Sequence, residues 1–225
     1  MSGSEANPKP RSAEQRPTQR QPWRRLARRI RVPLGFLIAA LYLFELGRRA
    51  PRPAAIAWSL ALVLPGLLLR GYASGYVKKD RELTTAGPYA HTRNPLYLGS
   101  MLMAAGFAVA LLSWLVAAVL ACGFAFVYIP VIGDEERFLR SEFPGFAAYC
   151  RAVPRLIPRL TQAHFPDEAS AGAGEGADPV AAPSGFSLAL YLQHREYNAA
   201  IGTVLLYLSL LFLRPALATI GLWAR

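Results

Sequence analysis

The sequence is poor in charged side chains. Asp, Glu, Lys and Arg make up 17% of its 225 residues, whereas 53% are hydrophobic. An average soluble domain has about a quarter charged residues. We therefore expect much of this chain to face lipid, because one soluble core would not take up so many apolar side chains.

Acidic residues are fewer than basic ones. The chain has 14 acidic and 25 basic residues and a formal net charge of +11. A nucleic-acid-binding protein would collect these cations on a polar face of their own, but here they stand before and between apolar runs. This placement favours an anionic lipid surface, and we expect no nucleic-acid partner.

Residues typical of metal sites and of common redox cofactor sites are also scarce. The two cysteines, Cys122 and Cys150, have no partner at ligand or disulfide spacing, and the three histidines form no cluster. No strand pattern followed by GxGxxG occurs. The sequence therefore predicts no metal and no nicotinamide or flavin cofactor.

The hydrophobic residues lie in runs that predict an all-α, multi-pass membrane protein. These runs are 32–47, 54–77, 96–133 and 199–223, and the third is nearly twice the length of one span, with LLSW (111–114) at its middle. We read this third run as a helical hairpin, which gives about five spans in total. No small-residue cleavage site follows the first run, so we expect a retained helix and not a signal peptide.

The regions between and beside the runs complete the predicted organisation. Residues 1–31 form a basic arm expected to be disordered, 32–160 the membrane core, 161–185 a flexible acidic Ala/Gly linker, and 186–225 an additional interfacial and transmembrane helix. Within the core, 134–160 reads as a polar surface helix followed by an extended piece. Arg and Lys are dense before the first span and in 78–93 and 137–159, which places these segments in the cytoplasm.

The hairpin predicts that two polar motifs meet at one membrane face. GPYAHTRNPLYLG (87–99) precedes it, and the acids Asp134, Glu135 and Glu136 follow it. Glycines allow close backbone approach to a ligand, aromatics stack on flat rings, and arginine binds carboxylates in bidentate fashion. The acids could hold an ammonium group or ribose hydroxyls, or they could simply favour the start of a following helix through its dipole.

These motifs resemble a family of membrane enzymes. GPYxxxRxPxYxG, a hydrophobic hairpin, EExxL and then VPRxIP are similar to the isoprenylcysteine carboxyl methyltransferase and phospholipid methyltransferase group, over about residues 80–160. The matching residues are Gly87, Pro88, Tyr89, Arg93, Pro95, Tyr97, Gly99, Glu135, Glu136, Leu139, Phe143, Tyr149, Val153, Pro154, Arg155, Ile157 and Pro158.

The resemblance implies an S-adenosylmethionine pocket at the cytoplasmic face, in a bacterial inner membrane, with the methyl acceptor arriving from the lipid. The implied cofactor-binding residues are Gly87, Pro88, Tyr89, Arg93, Asn94, Pro95, Tyr97, Gly99, Glu135 and Glu136. The implied catalytic residues are Arg155, Glu136 and Tyr149. Alignment of the acceptor with the S–CH3 bond and exclusion of water would be the main tasks of such a site.

Some alternatives stay open at this point. Asn94 stands where many family members have histidine, and it cannot titrate near neutral pH, so His91 is a possible substitute base. The acceptor could be a lipidated carboxylate, which the resemblance favours, a phospholipid amine or a small thiol. An alternative of another class is a transporter or an assembly protein without catalytic activity.

Two further polar features have less specific interpretations. Glu45 lies near the end of the first run, and burial would make Arg70 its expected partner. HREY (194–197) lies beside the last run and reads as a solvated helix face.

Overall fold

All regular elements in the described part of the chain are helical. The structure, a computed structural model, describes residues 36–77, 83–163 and 185–219. The helices are α1 (36–48), α2 (Pro53–Ser74), α3 (Pro95–Leu111), α4 (Trp114–Glu142), α5 (Phe146–Ala152), α6 (Leu188–Gln193) and α7 (Tyr197–Thr219), and a 3-10 turn spans Gly87–Ala90. The predicted all-α class is confirmed for these ranges. The basic arm 1–31 and most of the linker 161–185 lie outside them.

Two of the described helices, α2 and α4, are long and apolar enough to cross a membrane, and α3 and Tyr197–Leu213 of α7 are shorter apolar helices. The structure thus supports two of the roughly five spans expected from apolar run lengths. The most apolar window of α2 is 22% buried and that of α4 is 11% buried. A core helix of a soluble protein would be mostly buried, so these outward apolar faces favour a lipid environment.

The hairpin turn lies where the sequence predicts it. Leu112 adopts the left-handed conformation with φ 48° and ends α3, and the Ser113 side chain caps α4 by accepting a hydrogen bond from the Val116 amide at 3.3 Å. Arg49, just after α1, donates from Nη1 to the Leu112 carbonyl at 2.6 Å. The apolar stretch therefore folds back on itself as α3 and α4.

The second arm of the hairpin is longer than predicted. The expected new surface helix starting at 134 does not exist, because α4 continues without a break from Trp114 to Glu142. One glycine at 133 costs about 1 kcal/mol in a helix interior, which is too little to end it. Asp134, Glu135 and Glu136 are thus far from any helix start, so the helix-dipole explanation of these acids is wrong.

Glycines allow α2 and α3 to pack with their backbones close together. A Cβ on Gly99 would lie 2.6 Å from the Gly66 carbonyl oxygen, and one on Gly106 would lie 2.8 Å from the Ser59 carbonyl oxygen. Small residues at helix interfaces permit this approach in membrane proteins. The close packing brings the end of α2 against the first turns of α3.

The segment that carries α6 and α7 docks on α2. The Ser187 amide donates to the Gly75 carbonyl at 2.9 Å, and the Phe186 ring stacks on Tyr72 with centroids 6.0 Å apart. Further along α7, the hydroxyls of Tyr207 and Ser59 lie 2.5 Å apart. The C-terminal helices are therefore packed against the helices of the predicted membrane core.

The partner of Arg70 is Glu196 and not Glu45. Arg70 donates from Nη2 to both Glu196 carboxylate oxygens at 2.9 and 2.8 Å, across 126 residues of sequence. His194 Nδ1 lies 3.0 Å from the Ser74 carbonyl. The interpretation of 194–197 as a solvated face is therefore wrong, because two of its four residues bind α2. Glu45 is 3% exposed, and its Oε2 has no hydrogen-bond partner among the described residues.

Candidate active site

The motif loop 87–99 begins with a glycine whose conformation other residues rarely adopt. Gly87 has φ 60°, and a Cβ there would lie 2.7 Å from the Tyr76 ring. The chain then makes the 3-10 turn and enters α3 at Pro95, a residue suited to the first helical position. The loop conformation is thus determined largely at its two ends.

The extended segment 153–163 pairs with the motif loop in an antiparallel direction. The Arg93 amide donates to the Pro154 carbonyl at 2.9 Å, the Arg159 amide to His91 at 2.9 Å, and the Ala163 amide to Ala90 at 3.1 Å. This pairing continues to Ala163, three residues into the range assigned to the linker. It joins the second half of the predicted family pattern to the first.

A carboxylate held by two arginines lies at the centre of the site. Arg93 Nη1 donates to Glu136 Oε1 at 2.9 Å, and Arg155 Nε donates to the same oxygen at 3.0 Å. A second Arg155 nitrogen, Nη2, donates to Oε2 of Glu136. The side chains of Arg93 and Glu136 are 15% and 14% exposed, whereas that of Arg155 is 50% exposed. The ion cluster is therefore buried on the Arg93 side and open on the Arg155 side.

The hydrogen bonds that Arg155 donates to Glu136 raise the pKa of the Arg155 guanidinium, although burial acts in the opposite direction. Arg155 thus stays charged at any physiological pH. Arg93 Nη1 is also 3.0 Å from Cys150 Sγ, which places a sulfur beside the two guanidinium groups.

Tyr97 and Glu135 form the neighbouring part of the site. The Tyr97 hydroxyl donates to Glu135 Oε2 at 3.0 Å. Tyr128 contacts the Tyr97 ring edge-on with centroids 5.0 Å apart, and Phe124 stacks on Tyr128 at 4.0 Å. An exposed carboxylate thus stands at the end of a row of aromatic rings in α3 and α4.

Two buried tyrosines, Tyr89 and Tyr149, stabilise the motif loop. The Tyr149 hydroxyl donates to the Tyr89 carbonyl oxygen at 2.9 Å, and both side chains are under 9% exposed. Burial raises the pKa of both phenols, and the Glu135 carboxylate adds to the shift at Tyr89. Tyr149 therefore positions the motif loop, and it lies close enough to Arg93 to interact with its charge.

The predicted site residues fall into two groups. The structure brings together Arg93, Asn94, Tyr97, Glu135, Glu136 and Arg155, with the Asn94 amide nitrogen 3.0 Å from the Arg155 carbonyl oxygen. The others, Gly87, Pro88, Tyr89, Pro95, Gly99 and Tyr149, shape the loop and its packing. Gly99 faces α2, since a Cβ there would contact Gly66 and Arg70.

Sequence reasoning missed two residues of the site. Thr92 is 1% exposed, and its hydroxyl lies 3.2 Å from the carbonyl oxygens of both Arg155 and Leu156. Cys150 contacts Arg93 as described. Thr92 occupies a variable position of the motif and Cys150 has no charge, so no local pattern marked either residue.

A separate cavity of about 360 Å³ borders the motif loop. Its walls include Tyr72, Pro88, His91 and Gln162. His91 Nδ1 lies 2.8 Å from the Arg159 carbonyl oxygen and donates to it, because a carbonyl oxygen can only accept. The ion cluster around Glu136 does not line this cavity.

The loop, the hairpin and the acids that α4 carries form one continuous stretch of sequence, and this stretch is similar to a known family. Residues 67–144 match the phospholipid methyltransferase family model. The resemblance seen in the sequence is therefore confirmed for this part of the chain. The match covers both Arg93 and Glu136, whereas α1, α5, α6 and α7 lie outside it.

Two curated proteins are similar to part of the chain. The cobalt-zinc-cadmium resistance protein CzcN of Cupriavidus metallidurans is 46% identical over 90 residues, which cover 40% of this chain and 41% of that protein. The nickel-cobalt-cadmium resistance protein NccN of Alcaligenes xylosoxydans xylosoxydans is 40% identical over a stretch with the same coverage. The chain thus aligns with less than half the length of these relatives, and no solved structure matches it significantly.

Proposed function

We propose that this protein is an integral membrane methyltransferase that uses S-adenosylmethionine and acts on a lipidic or membrane-associated acceptor. The observation that carries the proposal is the binding of Glu136 by both Arg93 and Arg155. These arginines belong to the two halves of the family pattern, and the acid between them lies inside a long helix where no dipole effect explains it.

The charged and polar groups of the cluster fit the methyl donor chemically. S-adenosylmethionine has a carboxylate, an ammonium group and a ribose diol. Arg93 Nε is a buried donor without a hydrogen-bond partner among the described residues, and Arg155 is half exposed. Glu135 is an exposed acceptor beside the Tyr97 hydroxyl. The site therefore offers arginine donors for a carboxylate and an acid for an ammonium group or a diol.

The residues of this chain would bind and orient, and the cofactor would supply an activated methyl group. Arg93 and Arg155 would hold the carboxylate, with Glu136 keeping the two guanidinium groups in place. The aromatic row of Tyr97, Tyr128 and Phe124 would exclude water on the lipid side. Because alignment and water exclusion are the main demands of methyl transfer, side chains fixed by ion pairs and by ring packing suit the task.

A lipidated carboxylate is the acceptor that the family resemblance favours, with a phospholipid amine or a small thiol as alternatives. A carboxylate needs no base. An amine must lose a proton first, and Glu136 is a candidate to accept it. Asn94 does not serve this purpose, because its amide nitrogen donates to the Arg155 carbonyl and has no titratable proton near neutral pH.

The names of the two relatives refer to metal resistance, which does not by itself imply metal binding by this chain. In the ranges that the structure describes, no group of three His, Cys, Asp or Glu side chains is arranged to hold a metal ion. A methyltransferase reaction and a role in a resistance system are compatible, so the relatives do not argue against the proposal.

Cofactor binding tests the proposal directly. Calorimetry on the purified protein in detergent should detect binding of S-adenosylmethionine, and Glu136→Gln should weaken it at least about tenfold, equivalent to about 1.4 kcal/mol. Glu142→Gln is the matched control, because Glu142 is exposed in the last turn of the same helix. Incubation with methyl-labelled S-adenosylmethionine and a total lipid extract should then yield a labelled product that identifies the acceptor.

Absence of binding at millimolar cofactor would end the enzyme proposal and favour a transporter or assembly protein. If the Glu136 and Glu142 variants weakened cofactor binding equally, the ion cluster would not be part of the cofactor site. The assay with the lipid extract would then decide separately whether the protein transfers methyl groups.

A further inference from the structure

The HREY segment (194–197) lies outside the family match and connects α6 to α7. Arg195 adopts the left-handed conformation with φ 54°, which residues other than glycine rarely keep unless neighbouring contacts hold it. Such contacts lie on both sides of it. His194 Nδ1 donates to a backbone carbonyl of α2 at 3.0 Å, and Glu196 binds Arg70. The segment is therefore held to α2 at two points across a turn.

Glu196 and Arg70 form a largely buried, bidentate ion pair. Arg70 donates from Nε to Glu196 Oε2 at 3.1 Å and from Nη2 to both carboxylate oxygens at 2.9 and 2.8 Å. The side chain of Arg70 is 24% exposed and that of Glu196 is 14% exposed. A paired fork of this kind fixes the orientation of the guanidinium group, and loss of the acid would leave a poorly solvated cation. The position of the Arg70 guanidinium group thus depends on Glu196.

The same guanidinium group also contacts the first turns of α3. Arg70 Nη1 donates to the Ser100 hydroxyl and lies 3.5 Å from the Leu96 carbonyl oxygen. The Ser100 hydroxyl donates to that carbonyl oxygen at 3.0 Å. Tyr97, which donates to Glu135 in the candidate site, directly follows Leu96. Arg70 therefore joins the HREY segment to the part of α3 that carries Tyr97.

Electrostatics place Glu196 near the candidate site as well. Tyr89 is a buried residue of the motif loop. Burial raises the pKa of its phenol, and the negative charges of Glu135 and of Glu196 add to the shift. Acids from α4 and from the C-terminal segment thus act on one buried side chain of the motif loop. The Arg70–Glu196 pair lies near the same turn as the residues of the site.

We propose that Glu196 is a positioning residue of the candidate site, which acts through Arg70 to fix the first turns of α3 and thereby Tyr97. The C-terminal segment is then a working part of the site and more than an additional membrane anchor. The effect on the cofactor rests on the proposed methyltransferase function, whereas the effect on α3 does not depend on it.

Other contacts keep the C-terminal helices on α2 when the ion pair is removed. Phe186 stacks on Tyr72, and the hydroxyls of Tyr207 and Ser59 lie 2.5 Å apart. Loss of the Glu196 charge should therefore loosen the start of α3 locally and leave the helices docked. This separates a positioning role from a purely structural one.

Hydrogen–deuterium exchange of the full chain in detergent tests the positioning without any cofactor. In Glu196→Gln the backbone amides of 98–102 should exchange at least about tenfold faster, because the charged hydrogen bonds that hold this turn are weakened. The amides of 117–122 in α4 should exchange as in the original protein. Arg195→Gln is the matched control, because Arg195 is the exposed neighbour of Glu196 and glutamine keeps a non-glycine residue at that turn. It should leave both regions unchanged.

Calorimetry with S-adenosylmethionine then tests the connection to the site. Glu196→Gln should weaken binding by about fivefold or more, and Arg195→Gln should not. Because Glu196 acts through Tyr97, the Glu196→Gln and Tyr97→Phe double variant should bind no more weakly than Tyr97→Phe alone. Additive losses would show that Glu196 does not act through Tyr97 and would overturn that step.

The outcomes separate this inference from the methyltransferase proposal. If the original protein bound no cofactor but Glu196→Gln accelerated exchange only at the start of α3, the methyltransferase proposal would fail and the positioning role would stand. Unchanged exchange in Glu196→Gln, or equal acceleration in Arg195→Gln, would overturn the inference. Acceleration that extended to 117–122 would show that Glu196 only stabilises the fold, which would also overturn it.

Discussion

Glu136 shows how one residue connects distant parts of the chain. It accepts hydrogen bonds from Arg93, 43 residues earlier, and from Arg155, 19 residues later. Removal of one member of a buried charged group costs more than removal of an exposed one, because the remaining partners stay desolvated. The 14% exposed carboxylate therefore matters more to the site than the half-exposed Arg155.

A buried tyrosine gives a prediction at the same scale. Burial raises the pKa of Tyr149 in the folded protein, whereas in the unfolded chain tyrosine titrates at about 10. Above that pH the unfolded chain loses its proton first, so the free energy of unfolding should fall as pH rises. Tyr149→Phe should lessen this alkaline loss, as measured by denaturant unfolding between neutral and alkaline pH.

Tyr197→Phe is the control, since Tyr197 is 38% exposed whereas Tyr149 is 3% exposed. This variant should keep the alkaline loss of stability of the original protein. An identical pH dependence in the Tyr149→Phe variant and the original protein would contradict the buried, neutral state of Tyr149.

Helix packing depends on a few glycines at the element scale. Gly66 and Gly99 let α2 and α3 approach so closely that no Cβ fits between them. The packing also positions Arg70, whose Cγ lies 2.6 Å from the site of a Cβ on Gly99. The same glycine that the family pattern requires thus serves the interface between two helices.

Gly99→Ala should destabilise the protein by about 1–3 kcal/mol through overpacking. The control is Gly202→Ala in α7, where a Cβ would meet nothing within 4 Å and alanine should be neutral or stabilising in a helix. Thermal unfolding in detergent measures both. A Gly99→Ala variant as stable as Gly202→Ala would show that α2 and α3 are not so closely packed.

At the scale of the whole molecule, the orientation of α4 across the bilayer can be predicted and tested. Trp114 and Ser141 lie near opposite ends of α4, about 40 Å apart by helix rise, which exceeds the roughly 30 Å of a bilayer's hydrocarbon core. The dense positive charge in 137–159 predicts that the Ser141 end is cytoplasmic.

Labelling with a membrane-impermeant maleimide tests this orientation. After Cys122→Ser and Cys150→Ser, a cysteine introduced by Trp114→Cys should react in intact cells, because this position is 76% exposed. One introduced by Ser141→Cys should react only after permeabilisation. The reverse pattern would show that the active-site face is outside, and equal labelling would show that α4 does not cross the membrane.

The sequence by itself determined the helical class, the hairpin turn at 111–114 and the family motif, because run length, turn residues and residue spacing are local properties. The sequence did not predict that α4 continues through Gly133, because a single weak helix former does not decide where a helix ends. Tertiary structure alone decided that Arg70 binds Glu196 and not Glu45. Contacts across 126 residues depend on how each helix is rotated and packed, and no local pattern encodes that.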